Sequence, residues 1–131
     1  GDLQGAEAAH RLALARFATE AGHTGLRTAG SMTSLAEVLA TLGRTTEARS
    51  LLMTALPILE RHLGLRHPGV ARSRVTLANV HQAHGDIDAA VRLRRQSLAI
   101  LEDVQGAEHP EVVAARSHLA SIIVEPLARA G

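Results

Sequence analysis

The sequence has no cysteine, lysine, tryptophan or tyrosine, and Phe17 is its only aromatic residue. Without cysteine the chain can form neither a disulfide nor a thiolate metal site, and it has no cysteine nucleophile. It also has no apolar run of about 18 residues, so we expect no membrane-spanning helix. No charged-then-apolar leader opens the chain, and the cytoplasm is therefore the expected location.

The basic charge is equally restricted. All fourteen basic residues are arginine, but they alternate with Asp and Glu and leave a net charge of only +1. A nucleic-acid-binding protein normally carries a basic stripe or patch along one face. Nucleic acid is therefore not expected as a partner.

What the chain does have is aliphatic residues and an internal repeat. Hydrophobic residues make up 46% of the 131 residues, and almost all of them are Ala, Leu, Val or Ile. The run from Gly64 to Pro68 returns from Gly106 to Pro110, offset by 42 residues, and both runs read Gly-x-x-His-Pro. A period of this length is typical of a repeat array. We expect a single all-α repeat domain over residues 1–131, as a fragment of a longer repeat array.

Apolar residues spaced by three and four predict six helices. Those in the first, third and fifth segments should end near Gly22, Gly64 and Gly106, where glycine can take the left-handed stop conformation. Pro68 and Pro110 suit the first turn of the helices that follow. The predicted helices span residues 3–21, 26–42, 45–63, 68–84, 87–105 and 110–125.

The run Leu77-Ala78-x-Val80, followed by Gly85-x-Ile87-x-Ala89-Ala90 and then by the Gly-x-Glu-His-Pro junction, resembles the tetratricopeptide repeat. The form it resembles is the 42-residue one of kinesin light chains and many bacterial repeat proteins. The resemblance implies a right-handed α-solenoid of antiparallel helix pairs, each an A helix followed by a B helix, with the A helices lining the concave face. The six helices then read B, A-B, A-B, A. The family's aromatic positions are occupied here by Leu39, His81 and Ile123 in the A helices and by His10, Leu52 and Arg94 in the B helices.

The resemblance places a peptide-binding groove on the A helices. The expected groove residues are Thr33, Glu37, Arg72, Val75, Asn79, Gln82, Ser117 and Ser121. Their amide, hydroxyl and guanidinium groups can pair the backbone of an extended peptide. A solvated polar face without a ligand is the alternative. A clamp for a C-terminal carboxylate is not expected, because only Arg72 and Asn79 hold clamp-like positions and Glu37 opposes them.

The last helix offers a second surface. Ile122, Ile123 and Val124 have no following B helix to cover them in this sequence, and a repeat buries its apolar face only against its neighbours. These residues are candidates for self-association, in which the first B helix of another copy packs against the last A helix.

The histidines and the densest arginine cluster suggest no further chemistry. His81 and His84 are three residues apart, a spacing that can bind zinc, but His81 holds a packing position and we expect no metal. Arg92, Arg94 and Arg95 are expected on the solvated outer face of a B helix. No catalytic arrangement is recognisable, and we expect neither an enzyme nor a cofactor.

The sequence therefore predicts a non-enzymatic protein–protein interaction module. It would bind a peptide or protein segment on its concave face, as a scaffold or sensor part of a larger bacterial protein. The alternative is a self-assembling structural repeat unit that associates through its unpaired terminal helices.

Overall fold

The computed structural model describes residues 2–21 and 25–130, with side chains for all of these except residues 17–21 and 124–130. The prediction of an all-α fold with six helices is confirmed, and the described residues contain no strand. Gly22 and the side chain of Val124 lie outside the described part. The helices are α1 (Asp2–Ala21), α2 (Leu26–Thr41), α3 (Thr45–Leu63), α4 (Pro68–Ala83), α5 (Ile87–Gln105) and α6 (Pro110–Ala130).

The helices form a solenoid in which each helix packs against the next one along the chain, and α2 also contacts α4 directly. Short turns between packed neighbours make consecutive helices antiparallel. The A helices α2, α4 and α6 therefore form one layer, and the B helices α1, α3 and α5 form the other. This layering brings the A-helix side chains to one common face.

Turns from an A helix to a B helix are closed by glycine. The backbone N–H of Gly43 donates to Ala40 O at 3.1 Å, and the N–H of Arg44 donates to Leu39 O at 2.8 Å. Gly43 has φ +83°. This pair of bonds is a Schellman motif, in which a residue of positive φ satisfies the last carbonyls of the helix. Gly85 has the same φ of +83° and repeats the motif one period later.

Turns from a B helix to an A helix use glycine differently, and here the sequence prediction is corrected. Gly64 has φ +90° and ψ +156°, and Gly106 has φ +91° and ψ +153°. The left-handed helical stop has ψ near +47°, whereas these values fall in an extended region of positive φ that is essentially restricted to glycine. The chain leaves the B helix in an extended direction because the turn must reach the His-Pro start of the next helix.

The histidine of each Gly-x-x-His-Pro junction caps the following A helix. His67 Nδ1 accepts a hydrogen bond from the N–H of Gly69 at 2.9 Å, and His109 Nδ1 accepts one from the N–H of Glu111 at 3.1 Å. Each bond satisfies a backbone donor that has no partner within the helix. The junction histidines are therefore structural, as the sequence predicted.

The apolar core is uneven along the solenoid. One large cluster joins α2, α3 and α4, with Leu35, Leu39 and Leu52 fully buried. A second and much smaller cluster contains Ala71, Ile100, Leu101 and Val112. The α2–α3 half therefore has most of the aliphatic packing.

Candidate functional site

A cleft of about 350 Å³ opens on the face that the three A helices share. It is lined by Glu37, Arg72, Val75, Thr76, Leu101, Glu111 and Ala115. Helices α2, α4 and α6 all contribute to it, with Leu101 of α5 among the lining residues. A second cleft, of about 380 Å³, lies beside it and is lined by Glu37, Ala40, Thr41, Thr76 and Asn79.

Four of the eight predicted groove residues line these clefts, namely Glu37, Arg72, Val75 and Asn79. Thr33, Gln82, Ser117 and Ser121 do not line them. The Thr33 hydroxyl donates to Ala29 O in its own helix at 3.1 Å, and Ser121 donates to His118 O at 2.7 Å. Both hydroxyls are thus committed to backbone carbonyls, while Ser117 is exposed on α6.

Arg72 is neutralised by a residue that the sequence did not single out. Its Nε lies 3.4 Å from Glu111 Oε1, and Gln105 Nε2 donates to the other carboxylate oxygen at 3.1 Å. The hydrogen bond from Gln105, followed by that from Arg72, lowers the pKa of Glu111. The pair could not be found from local patterns because Arg72 and Glu111 are 39 positions apart in the sequence.

Arg94 is buried, which corrects the expectation that it lies on the solvated outer face. It is only 9% exposed, whereas Arg92 and Arg95 are exposed as predicted. Burial lowers the pKa of the Arg94 guanidinium. Its Nε has no hydrogen-bond partner among the described residues, and none of their carboxylates forms an ion pair with it.

The Arg94 guanidinium holds two predicted groove residues. Nη2 donates to Asn79 Oδ1 and, at 3.3 Å, to Gln82 Oε1. Because arginine has donors only, both side-chain amides must turn their oxygens towards it. The amide oxygens and nitrogens of Asn79 and Gln82 are thereby assigned by the hydrogen bonding.

Arg94 lies between α4 and α6, where the A-helix layer is more open. Burial, and then the positive charge of Arg94, lower the pKa of His118 on α6, so the guanidinium acts on both neighbouring A helices. No Cα atoms of α4 and α6 approach within 8 Å in the described residues, whereas α2 and α4 do. Between α2 and α4, Ser73 Oγ lies 3.5 Å from Thr33 Oγ1. One repeat later, the equivalent residues line the open cleft.

The predicted self-association surface lies elsewhere. Ile122 and Ile123 line a cleft of about 610 Å³ between α5 and α6, together with Val91, Arg95 and other α5 residues. Ile122 is already 4% exposed, so it contributes little free apolar surface, and Ile123 is half-buried. The side chain of Val124 is outside the described ones.

The part of the chain that the structure describes has neither a metal-binding cluster nor a membrane-spanning helix. No group of three or more His, Asp or Glu residues could hold a metal ion there. None of the helices there is both long and apolar enough to cross a bilayer.

The chain was compared with known proteins. A tetratricopeptide repeat family model matches residues 27–103, more than half of the chain. The fold is similar to that in the crystal structure of a candidate kinesin light chain of Podosopora anserina with nearly identical TPR-like repeats. The TM-score is 0.84 and the sequence identity is 29%, and the match covers 93% of this chain and 58% of that chain. A single-substitution variant of that protein has a TM-score of 0.83 and 28% identity over 93% of this chain and 57% of its own.

The chain thus spans less than two thirds of the length of these solved chains. Comparison with curated proteins gives no match.

Proposed function

This chain belongs to the tetratricopeptide repeat family, and from that premise we propose that it binds a peptide or protein segment in the cleft of its concave face. Repeats of this family generally form protein–protein interaction modules and non-catalytic scaffolds, with an extended concave surface as the binding site. The observation that carries the proposal is the cleft of about 350 Å³, to which all three A helices contribute.

The chemistry of the cleft suits a peptide. Val75, Leu101 and Ala115 supply apolar walls, and Arg72, Glu111 and Asn79 supply charged and amide groups around them. Clefts of this size with few polar groups are the usual binding sites of proteins. A bound segment could bury an apolar side chain between α4 and α6 and pair its backbone with the polar rim.

A peptide selection tests this proposal. Short random peptides displayed on phage are selected on the chain, and the affinities of the selected peptides are measured by fluorescence anisotropy. The double variant Arg72→Ala with Asn79→Ala should weaken them by about tenfold or more, since central interface residues dominate affinity. The matched double variant Arg49→Ala with Arg61→Ala, both exposed on the B helix α3, should bind as the unmodified chain does.

A second cleft variant guards against indirect effects of losing Arg72 and Asn79 on folding. Ala115→Gln adds bulk to the cleft without removing an ion pair, and it should also weaken the selected peptides. The proposal fails if both cleft variants bind normally, or if the B-helix variant loses as much affinity as they do.

Self-association is the second candidate function. The cleft of about 610 Å³ between α5 and α6 corresponds, one repeat later, to the surface of α4 that α5 covers. The shape therefore fits a B helix, and we propose α1 of a second copy as its occupant. Light scattering on a size-exclusion column should show a mass that rises with concentration and falls in Ile123→Arg, while Val113→Arg on another face of α6 leaves it unchanged. A monomeric mass at every concentration would refute self-association.

That the chain is a scaffold or sensor part of a larger bacterial protein in the cytoplasm stays a prediction from the sequence.

A further inference from the structure

The buried guanidinium of Arg94 is a feature that packing alone does not explain. A buried charge is costly unless it is paired, and Arg94 at 9% exposure forms no ion pair with a described carboxylate. Its equivalent one repeat earlier is Leu52, which is fully buried and shows that the position accepts an aliphatic side chain. The charge at this position therefore calls for a function other than packing.

The arrangement around Arg94 leaves donors facing the groove. Asn79 Oδ1 and Gln82 Oε1 accept from the guanidinium, so the Nδ2 and Nε2 groups of the same amides remain for other acceptors. Neither nitrogen has an acceptor among the described residues. Asn79 is exposed and lines the cleft on the side of α2. A ligand at this place would meet hydrogen-bond donors, backed by a positive charge.

The surrounding charges leave this site uncompensated. Arg72 is already paired with Glu111, so the ion pair beside the site adds little net charge. Glu37 lies across the cleft from Asn79, on α2. On the opposite side, the gap between α4 and α6 exposes His118 and has no carboxylate within ion-pair distance of Arg94 among the described residues. The positive charge of Arg94 is therefore not neutralised by a carboxylate of the described residues.

We infer that the concave face binds an acidic side chain of its ligand beside α4, with the carboxylate accepting hydrogen bonds from Asn79 Nδ2 and Gln82 Nε2 above the buried guanidinium of Arg94. The inference rests on the proposed function, since it specifies one residue class of the bound segment. Charge-assisted hydrogen bonds to a carboxylate are roughly twice as strong as neutral ones. The site selects acceptors and rejects lysine or arginine side chains through the charge of Arg94.

Small probes test the site without a known partner. The isotope-labelled chain is titrated with N-acetyl-glutamate N-methylamide, and the side-chain amide signals of Asn79 and Gln82 are followed by NMR at constant ionic strength. The neutral probe N-acetyl-glutamine N-methylamide should bind about tenfold more weakly or not at all. N-acetyl-alanine, which carries only a free α-carboxylate, separates recognition of a chain terminus from recognition of an acidic side chain.

Two variants and a control determine whether Arg94 is responsible. Arg94→Met keeps an unbranched chain in the packing position and should abolish the response, while Arg49→Met on the exposed side of α3 should retain it. Asn79→Asp places a carboxylate beside the guanidinium from within the chain. It should raise the melting temperature and also abolish the response to the glutamate probe.

The possible results separate this inference from the proposed function. A response that is equal for the glutamine probe, that is stronger for N-acetyl-alanine, or that survives Arg94→Met overturns the acidic-side-chain site. If selected peptides bind the concave cleft without preferring Asp or Glu, the proposed function stands and the site fails. If the glutamate probe binds through Arg94 while no peptide binds the cleft, the site stands and the proposed function fails.

Discussion

Where the α2–α3 hairpin buries Leu39 and Leu52, the α4–α5 hairpin has His81 and Arg94 at the equivalent positions, 42 residues later. The backbone turns of the two hairpins are closely alike, with φ of +83° at both A-to-B glycines and of +90° and +91° at the following ones. At these positions the first hairpin has aliphatic packing, whereas Arg94 of the second hairpin forms hydrogen bonds. The same repeat geometry thus accommodates an aliphatic interior in the α2–α3 hairpin and a partly polar interior in the α4–α5 hairpin.

This difference is reflected in the groove. Cα atoms of α2 and α4 approach within 8 Å, whereas those of α4 and α6 do not in the described residues, where the Arg72–Glu111 ion pair spans the wider gap. Polar side chains such as Arg94 replace aliphatic ones in the α4–α5 interior. On α4 the cleft is lined by Arg72, Val75 and Thr76. Functional sites commonly break a local rule that the rest of the fold obeys.

The largest expected effect on stability comes from placing the arginine of the α4–α5 hairpin at the equivalent position of the α2–α3 hairpin. Leu52→Arg places a charge at a fully buried position of the apolar cluster. The equivalents of Asn79 and Gln82 at that position are Glu37 and Ala40, so only one of the two side chains can accept a hydrogen bond from the new arginine. Because the charge still enters an apolar cluster, we expect the free energy of unfolding to fall by about 2–4 kcal/mol. Urea unfolding followed by circular dichroism measures it.

The reverse exchange is the control. Arg94→Leu should change the free energy of unfolding by less than about 1 kcal/mol, because removing a buried charge offsets the loss of its hydrogen bonds. Equal losses in the two variants would show that the hairpins do not differ in the way described.

The glycines at the B-to-A turns test what the two hairpins share. Gly64→Ala and Gly106→Ala should each cost about 1–3 kcal/mol, since φ near +90° with ψ near +155° strains any residue with a Cβ atom. Thermal melts should show similar losses for both. Gly5→Ala, inside α1 with nothing within 4 Å of the added Cβ, should instead stabilise the chain. A harmless Gly106→Ala beside a damaging Gly64→Ala would contradict the shared geometry.

The histidine caps should have a smaller effect. His67→Ala and His109→Ala each remove one bond to a helix N-terminus, at 2.9 Å and 3.1 Å, and should each cost about 1 kcal/mol. Asn or Asp at the same position should restore most of the loss, because both are strong N-cap residues. If the Asn variants melt as low as the Ala variants, the histidines stabilise the junction by another means.

The smallest expected effect is on pH dependence and concerns α1 and α3. The hydrogen bonds from Arg11 hold the pKa values of Glu7 and Glu47 below their ordinary value of 4.5. A carboxylate with a lowered pKa in the folded state contributes stability above 4.5, and this is lost as the pH falls through the folded value. The melting temperature should therefore drop on acidification below that value.

Glu7→Gln with Glu47→Gln should reduce this drop without removing it, since exposed pairs contribute little. A melting temperature whose acid dependence is identical in the double variant would exclude a stabilising role for this network.

Much of the fold was predictable because its determinants are local. Apolar spacing and the repeated glycines at 43, 64, 85 and 106 mark the helices and turns directly. Arg94 was misjudged because a charged residue on a helix is normally exposed, and its partners Asn79 and Gln82 lie 15 and 12 residues away in another helix. The repeat could have indicated that Arg94 is buried, because the equivalent Leu52 is one of the apolar residues on the inward face of its helix.

The central claim is that a ligand occupies the open concave face between α4 and α6. The most direct measurement is NMR mapping of a selected peptide on the isotope-labelled chain. The account predicts that the largest backbone shifts fall on Val75, Asn79 and Ala115, with little change at Val91 and Arg95. Shifts concentrated at Val91, Arg95 and Ile123, on the α5–α6 cleft, would contradict it.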